Sequence, residues 1–334
     1  MFANLAKIVL ERGGRIRPLL IDSKLTNGTG ICNPSIFIDG EDILVNLRHV
    51  EYNLFHAEFG KKFESRWGPM TYMHPEDDLH LRTNNYLAKL TPDLDIESIK
   101  PVNTSALDVT PLWDFVGLED ARVVRWNDTL FITGVRRDTT PNGVGRMELS
   151  EIRQEKGEVL EVARTRIEPP DDPTSYCEKN WMPVVDLPFH YVKWSNPTEV
   201  VKVDLATKSS IVVARSNNKV EGIRDIRGGS QIIPWKDYRI AITHEVDLWF
   251  NEPGNKDCHY YHRVIVWDKD WNIVKVSSDF KFMDGSVEFS CGLAAHGDNL
   301  LATFGYHDNA AFVLEIPNKV FEEFLDEHPV TASN

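Results

Sequence analysis

Cysteine is scarce in this 334-residue chain: Cys32, Cys177, Cys258 and Cys291, with no Cys-x-x-Cys pair. That spacing excludes the common zinc frameworks, and no metal is expected. Long apolar runs are missing too. No stretch approaches the roughly 18 apolar residues of a membrane helix, and the N-terminus shows no secretory pattern. A cytoplasmic, reducing setting without a membrane partner is the expectation, and Cys32, Cys177 and Cys291, each beside a strand start, are expected to be buried small residues. Positive charge is in deficit. The 37 Lys and Arg residues against 51 Asp and Glu leave a formal charge of −14 and no basic stripe, which argues against a nucleic-acid partner. There is no Gly-x-Ser-x-Gly elbow, Walker loop or dinucleotide fingerprint. Helical spacing is scarce as well. Only Asn318 to Glu327 reads as a helix, with Val320, Phe321 and Phe324 on one face.

What the chain does contain is a phrase repeated five times: a polar strand start, a β-run, a turn, and a second β-run ending in polar residues. The copies begin at Asn33, Glu119, Lys179, Gly229 and Ser290. Turn pairs such as Asp39-Gly40 and Asn127-Asp128 close the first runs. A repeat of this length predicts an all-β fold: one domain over residues 1–334, a five-bladed β-propeller with a short C-terminal helix at 318–327. Residues 55–114, including His74 to Asp78, read as an inserted loop region. A propeller gathers the strand starts of its blades around one axis, so polar residues far apart in sequence become one candidate site.

The second copy is the richest. Gly117-Leu118-Glu119-Asp120-Ala121-Arg122 sets two carboxylates and a guanidinium at a strand start. Alternation sends Asp120 and Arg122 to one face and Glu119 to the other. Apolar walls beside Asp120 would raise its pKa toward general-acid use, while an Asp–Arg tie between blades is the structural alternative. Arg136, Arg137 and Arg146 flank a glycine-containing loop suited to bidentate phosphate contacts, or to a solvated basic turn. Lys179 beside Asn180 and Trp181 suits an anion and a sugar face. His49, His244 and His307 all end second β-runs, and Glu288 is a further carboxylate near the axis.

Taken in order, NPSI, GLEDARV, EKNW, RGGSQ with THE, and EFSCGLA with DNLLATFGYHD resemble the five-bladed glycoside phosphorylases acting on β-mannosides (glycoside hydrolase family 130) and related mannosyltransferase-phosphorylases. The likeness runs from Asn33 to about Ile316, with Ala121 where that family has proline. It implies an inverting reaction with Asp120 as general acid. It also implies inorganic phosphate as co-substrate, with no other cofactor, held by Arg137, Arg146, Lys179 and His244. Sugar contacts are expected from Asn33, Glu119, Arg122, Asn180, Glu288, His307 and Asp308. The expected partner is an oligosaccharide or sugar phosphate, and a homo-oligomer is compatible. Three other functions fit the same residues: a hydrolase using Glu288 or Glu119 as base, a nucleotide-sugar glycosyltransferase, and a sugar-binding propeller without turnover.

Overall fold

The computed structural model describes the chain except residues 1, 29, 54–61, 64–69, 73–79, 222, 224–225, 251–255, 328 and 331–334. His74 to Asp78 therefore lie outside the described residues. The fold is all-β with two α-helices among the described residues, Leu5–Glu11 (α1) and Asn318–Glu327 (α2).

Most strands fall into consecutive antiparallel meanders. The first unit comprises Ile31–Asp39, Asp42–Val50, Leu81–Leu90 and Ile96–Asn103. The second comprises Glu119–Trp126, Thr129–Arg136, Arg146–Glu155 and Glu158–Arg166. The third is Met182–Pro183, His190–Ser195, Thr198–Asp204 and Ser209–Arg215. The fourth is Ile233–Trp235, Tyr238–Phe250, Lys256–Trp267 and Ile273–Ser277. The fifth is Glu288–His296, Asn299–Tyr306 and Ala310–Pro317, and its fourth strand is Arg15–Pro18 from the other end of the chain.

Two expectations are corrected. Leu81–Leu90 and Ile96–Asn103 are outer strands of the first unit, so most of the back half of 55–114 belongs to the repeat. The segment before them had made the interval look like one insertion. The N-terminal stretch holds a second helix: Asn4 caps α1 by accepting from Lys7 N, and Leu5, Ala6 and Val9 form its buried face.

Short turns set the registers. Asn127 and Asp128 both take positive φ (48° and 64°), the conformation of a two-residue hairpin turn that Asn and Asp tolerate. Strand alternation then buries both faces of each meander. In the second unit Val123 joins a cluster with Leu44 and Leu87 of the first, while its neighbour Val124 joins one with Tyr191 and Val201 of the third. Further clusters link the third unit to the fourth, the fourth to the fifth and α2, and the fifth back to the first. The packing is therefore cyclic.

First strands meet at the middle of this cycle, where Gln231 ties three of them. Its Nε2 donates to Ile36 O (2.9 Å) and Val123 O (2.8 Å), and its Oε1 accepts from Leu293 N (3.3 Å). Gly292 permits that approach, since a Cβ there would lie 2.5 Å from Ile36 N. Gln231→Leu strands three buried backbone groups and is expected to cost about 3 kcal/mol, measured by urea unfolding. An unchanged midpoint would mean that the bonds at the centre contribute nothing net.

Candidate active site

The strand starts carry a shared distortion. Asn33, Asp120 and Asn180, in the first three copies of the phrase, have φ of 44°, 50° and 61°. The pairing register slips beside the first two, between Cys32 and Ser35 and between Glu119 and Arg122. Such bulges re-aim side chains, and left-handed backbone at a non-glycine residue is held only where its surroundings enforce it. Gly305 helps to enforce it at Asn33, because a Cβ there would sit 2.3 Å from Asn33 Oδ1.

Asp120 is the hub. Its Oδ1 accepts from Asn33 Nδ2 (2.8 Å) and from Arg48 Nη1 (2.8 Å). Burial opposes its charge, but Arg48, Arg122, the Asn33 hydrogen bond and Lys179 outweigh burial and hold its carboxyl below the usual aspartate value. The sequence-based expectation of a raised pKa is thus reversed: the walls are cationic as well as apolar. The raised carboxyls are its neighbours. Burial pushes up Glu119, against Arg48 and with Asp120 adding to the rise. Burial likewise pushes up Asp308, with Arg48 opposing and Asp120 and Glu119 reinforcing. Three carboxylates thus share one guanidinium, and only Asp120 pairs closely with it; Arg48 Nη2 stands 3.9 Å from Glu119 Oε2.

The sequence pattern does not single out Arg48, because the recurring strand-end residue is His49 beside it. Alternation separates them. His49 faces Asn84 and Tyr86, its pKa lowered to about 4 by burial. Arg48 reaches Asp120, Tyr52 OH and Thr83 Oγ1. Tyr260 was also missed. Burial, Asp308, Cys258 and Asp120 all push its phenol upward, and its ring stacks on His244 at 5.7 Å. A strand pattern alone does not reveal that the pairing of these two long strands sets Tyr260 against His244.

The expected anion ligands divide. Lys179 is exposed and lies close enough to act electrostatically on Glu119, Asp120 and His244. Arg137 sits against the rings of Phe115 (5.9 Å) and Tyr176 (5.5 Å) and acts on Glu119. His244 is buried. Burial foremost, then His262, Arg227, Lys179 and Arg122, hold its imidazole neutral. Arg146 does not join them. Its Nε donates to Glu168 Oε2, and its Nη atoms donate to the carbonyls of Gly145, Ser175 and Pro173. Its donors hold the 173–177 segment in place, so Arg146 is a structural residue.

Among the sugar-contact candidates Glu288 also leaves the site. Its carboxylate accepts from Phe282 N, Met283 N and Gly285 N, fixing the turn before its own strand. Arg122 is 1% exposed. Its Nε donates to Gly229 O and its Nη1 to Asp120 O, and it lies over Phe289. His307 and Asp308 both have positive φ, 52° and 49°, at the end of the matching second strand. Cys32 and Cys291 are fully buried near Asp120, and burial pushes the Cys291 thiol up to about 12. Unpartnered buried polar atoms recur at the strand starts and beside them. Asn33 Oδ1, Arg122 Nη2, Asn180 Oδ1 and His244 Nδ1 have no hydrogen-bond partner among the described residues. Such atoms are rare in protein interiors, where a bound water, ion or ligand supplies the partner.

The fold belongs to a class already represented among solved structures. The chain has the fold of β-1,2-mannobiose phosphorylase from Listeria innocua, with a TM-score of 0.55, 12% identity and 94% of each chain covered. It also has the fold of MPT-4, a mannose phosphorylase from Leishmania mexicana seen with a phosphate ion: TM-score 0.50, 13% identity, 98% of this chain and 95% of that one. MPT-1 from the same organism, a GDP-Man-dependent mannosyltransferase, aligns with a TM-score of 0.50 at 11% identity, over 93% of this chain and 94% of that one. No protein-family model matches the chain, and no curated protein matches it in sequence.

Proposed function

We propose that the five meanders are the blades of one propeller and that the protein is an inverting sugar-transfer enzyme acting on mannosides. It would move a glycosyl unit between phosphate and a sugar hydroxyl. The observation that carries this reading is the set of four unpartnered buried polar atoms on Asn33, Arg122, Asn180 and His244, with Lys179 acting on Asp120 and Arg137 on Glu119. Solved proteins of the same fold that act on mannobiose or bind phosphate support it.

The chemistry runs in either direction. In synthesis an acceptor hydroxyl attacks the anomeric carbon of a sugar 1-phosphate. The bond from that carbon to the phosphate oxygen breaks, phosphate leaves with the electron pair, and Asp120 takes the hydroxyl proton. In phosphorolysis, protonated Asp120 returns that proton to the departing hydroxyl. The clamp by Arg48 and Asn33 favours ionised Asp120 and so favours its role as base in synthesis. Arg137, Lys179 and Arg122 stabilise the phosphate charge, and neutral His244 can offer a nitrogen to it. Asn33, Asn180 and Asp308 hold sugar hydroxyls.

A hydrolase would need a second carboxylate to activate water. Glu288 is occupied by three backbone donors, which leaves Glu119 for that role. A nucleotide-sugar donor is the second reading, favoured by MPT-1 having this fold. Thermal unfolding separates the two. Inorganic phosphate is expected to raise the melting temperature of the wild type. Arg137→Ala should weaken phosphate binding by about 10- to 100-fold, the loss of one charged hydrogen-bonding group. Stabilisation by GDP with none from phosphate would transfer the proposal to the nucleotide-sugar reading.

A further inference from the structure

A cavity of about 140 Å3 lies between the first and second units, behind the axial site. Its charged lining is balanced, with the guanidiniums of Arg82, Arg136 and Arg164 and the carboxylates of Asp108, Asp138 and Glu161. Much of that charge is internally matched. Arg136 Nε donates to Glu148 Oε1 at 2.6 Å, Arg164 pairs with Glu161, and Arg164 Nε lies 3.4 Å from Glu148 Oε1. Two atoms are left over. Asp138 Oδ1 and Ser150 Oγ are buried with no hydrogen-bond partner among the described residues, in side chains of residues 5% and 0% exposed. Val102, Leu118 and Ile132 supply apolar wall.

We propose that this chamber is a second saccharide site, taking one neutral sugar residue or a short polyol. An inorganic anion would meet three carboxylates there and a cation three guanidiniums, so neither sign of charge is selected. A hydroxyl donates and accepts at once. It can give its hydrogen to Asp138 Oδ1, exchange one with Ser150 Oγ, and leave C–H faces against Val102 and Ile132. The volume is that of a small-molecule site, not of a long oligosaccharide. The chamber also abuts the axial machinery. Gly117 N donates to Asp138 Oδ2 (3.0 Å) two residues before Glu119, and Thr83 Oγ1 accepts from Arg48 Nη2 (3.3 Å). Its walls are therefore one bonded step from the clamp on Asp120, but its occupancy does not depend on what Asp120 does.

The test uses D-mannose and glycerol as probes on the full-length protein. Crystals soaked in each are expected to show the molecule bonded to Asp138 and Ser150. Isothermal titration with D-mannose should resolve two classes of site. Ser150→Val, which removes the hydroxyl and adds bulk to the wall, should weaken one class by roughly tenfold or more, whereas Asp308→Asn weakens the other. Ser150→Ala keeps the space and removes only the hydroxyl, so it should weaken the chamber class less than Ser150→Val; it also serves if the valine variant does not fold. Ordered water alone in the chamber at saturating mannose and glycerol overturns the proposal, as do affinities for both classes of site that neither Ser150 variant changes. Either failure leaves the axial reading standing, because that reading is decided by phosphate release.

Discussion

Asp120→Asn is expected to slow phosphate release from a sugar 1-phosphate and a sugar acceptor by about 10³-fold, the usual worth of a positioned proton-transfer group. The substitution keeps the side-chain shape, and the amide oxygen can still accept from Asn33 and Arg48. The loss should therefore appear in kcat more than in the acceptor KM. The wild-type pH profile gives an independent reading. A carboxyl held below the ordinary value of 3.8 stays ionised through neutral pH, so the synthetic rate should hold level as the pH falls from neutral toward that ordinary value. It should fall only as the pH drops through the lowered pKa, and the same ionisation contributes stability that is lost over that acid range. Phosphorolysis needs the protonated form and should rise toward acid. Release that persists unchanged in Asp120→Asn would remove Asp120 from the chemistry.

Arg48→Leu is expected to be the most damaging substitution at the site. Arg48 is 7% exposed, and its guanidinium pairs directly with the Asp120 carboxylate. Removing one member of a buried ion pair costs about 3–5 kcal/mol, because the remaining charge is left in a poorly solvating interior. Two further carboxyls, on Glu119 and Asp308, are already pushed up by burial with Arg48 opposing the rise. Without the guanidinium all three should protonate more readily. The acid limb of synthesis should then move to higher pH, and the melting temperature should recover in part as the pH is lowered. Arg48→Lys keeps the charge but loses the fork that reaches Asp120, Tyr52 and Thr83 together. It should retain more stability than activity. A pH profile unmoved in both variants would show that Arg48 does not set the ionisation of Asp120.

The nearest neighbours in sequence were the least reliable guide to roles. His49 and Arg48 are adjacent, yet a strand sends them to opposite faces, and only Arg48 reaches the acid. Arg137 and Arg146 look equivalent as basic residues beside a glycine turn. Arg146 is instead consumed by three carbonyls and Glu168, while Arg137 remains against two aromatic rings near Glu119. Glu288 lies in one of the motifs that carry the family resemblance, but its oxygens bind the chain just before it. Each of these distinctions depends on a partner outside the local pattern.

By itself the sequence determined the repeated unit, its hairpin turns and the strand starts at which polar residues would gather. These follow from two-residue alternation and from turn residues that tolerate positive φ, both of which are local properties. It also identified Asp120, Lys179, His244 and Asp308 as residues to bring together. Tertiary structure alone decided that Arg15–Pro18 supplies the fifth unit's last strand, since that pairing joins residues some 300 positions apart. It decided which arginines are spent on carbonyls. It also decided the charge of Asp120: burial and cationic neighbours act in opposite directions there, and the outcome depends on distances that no spacing along the chain encodes.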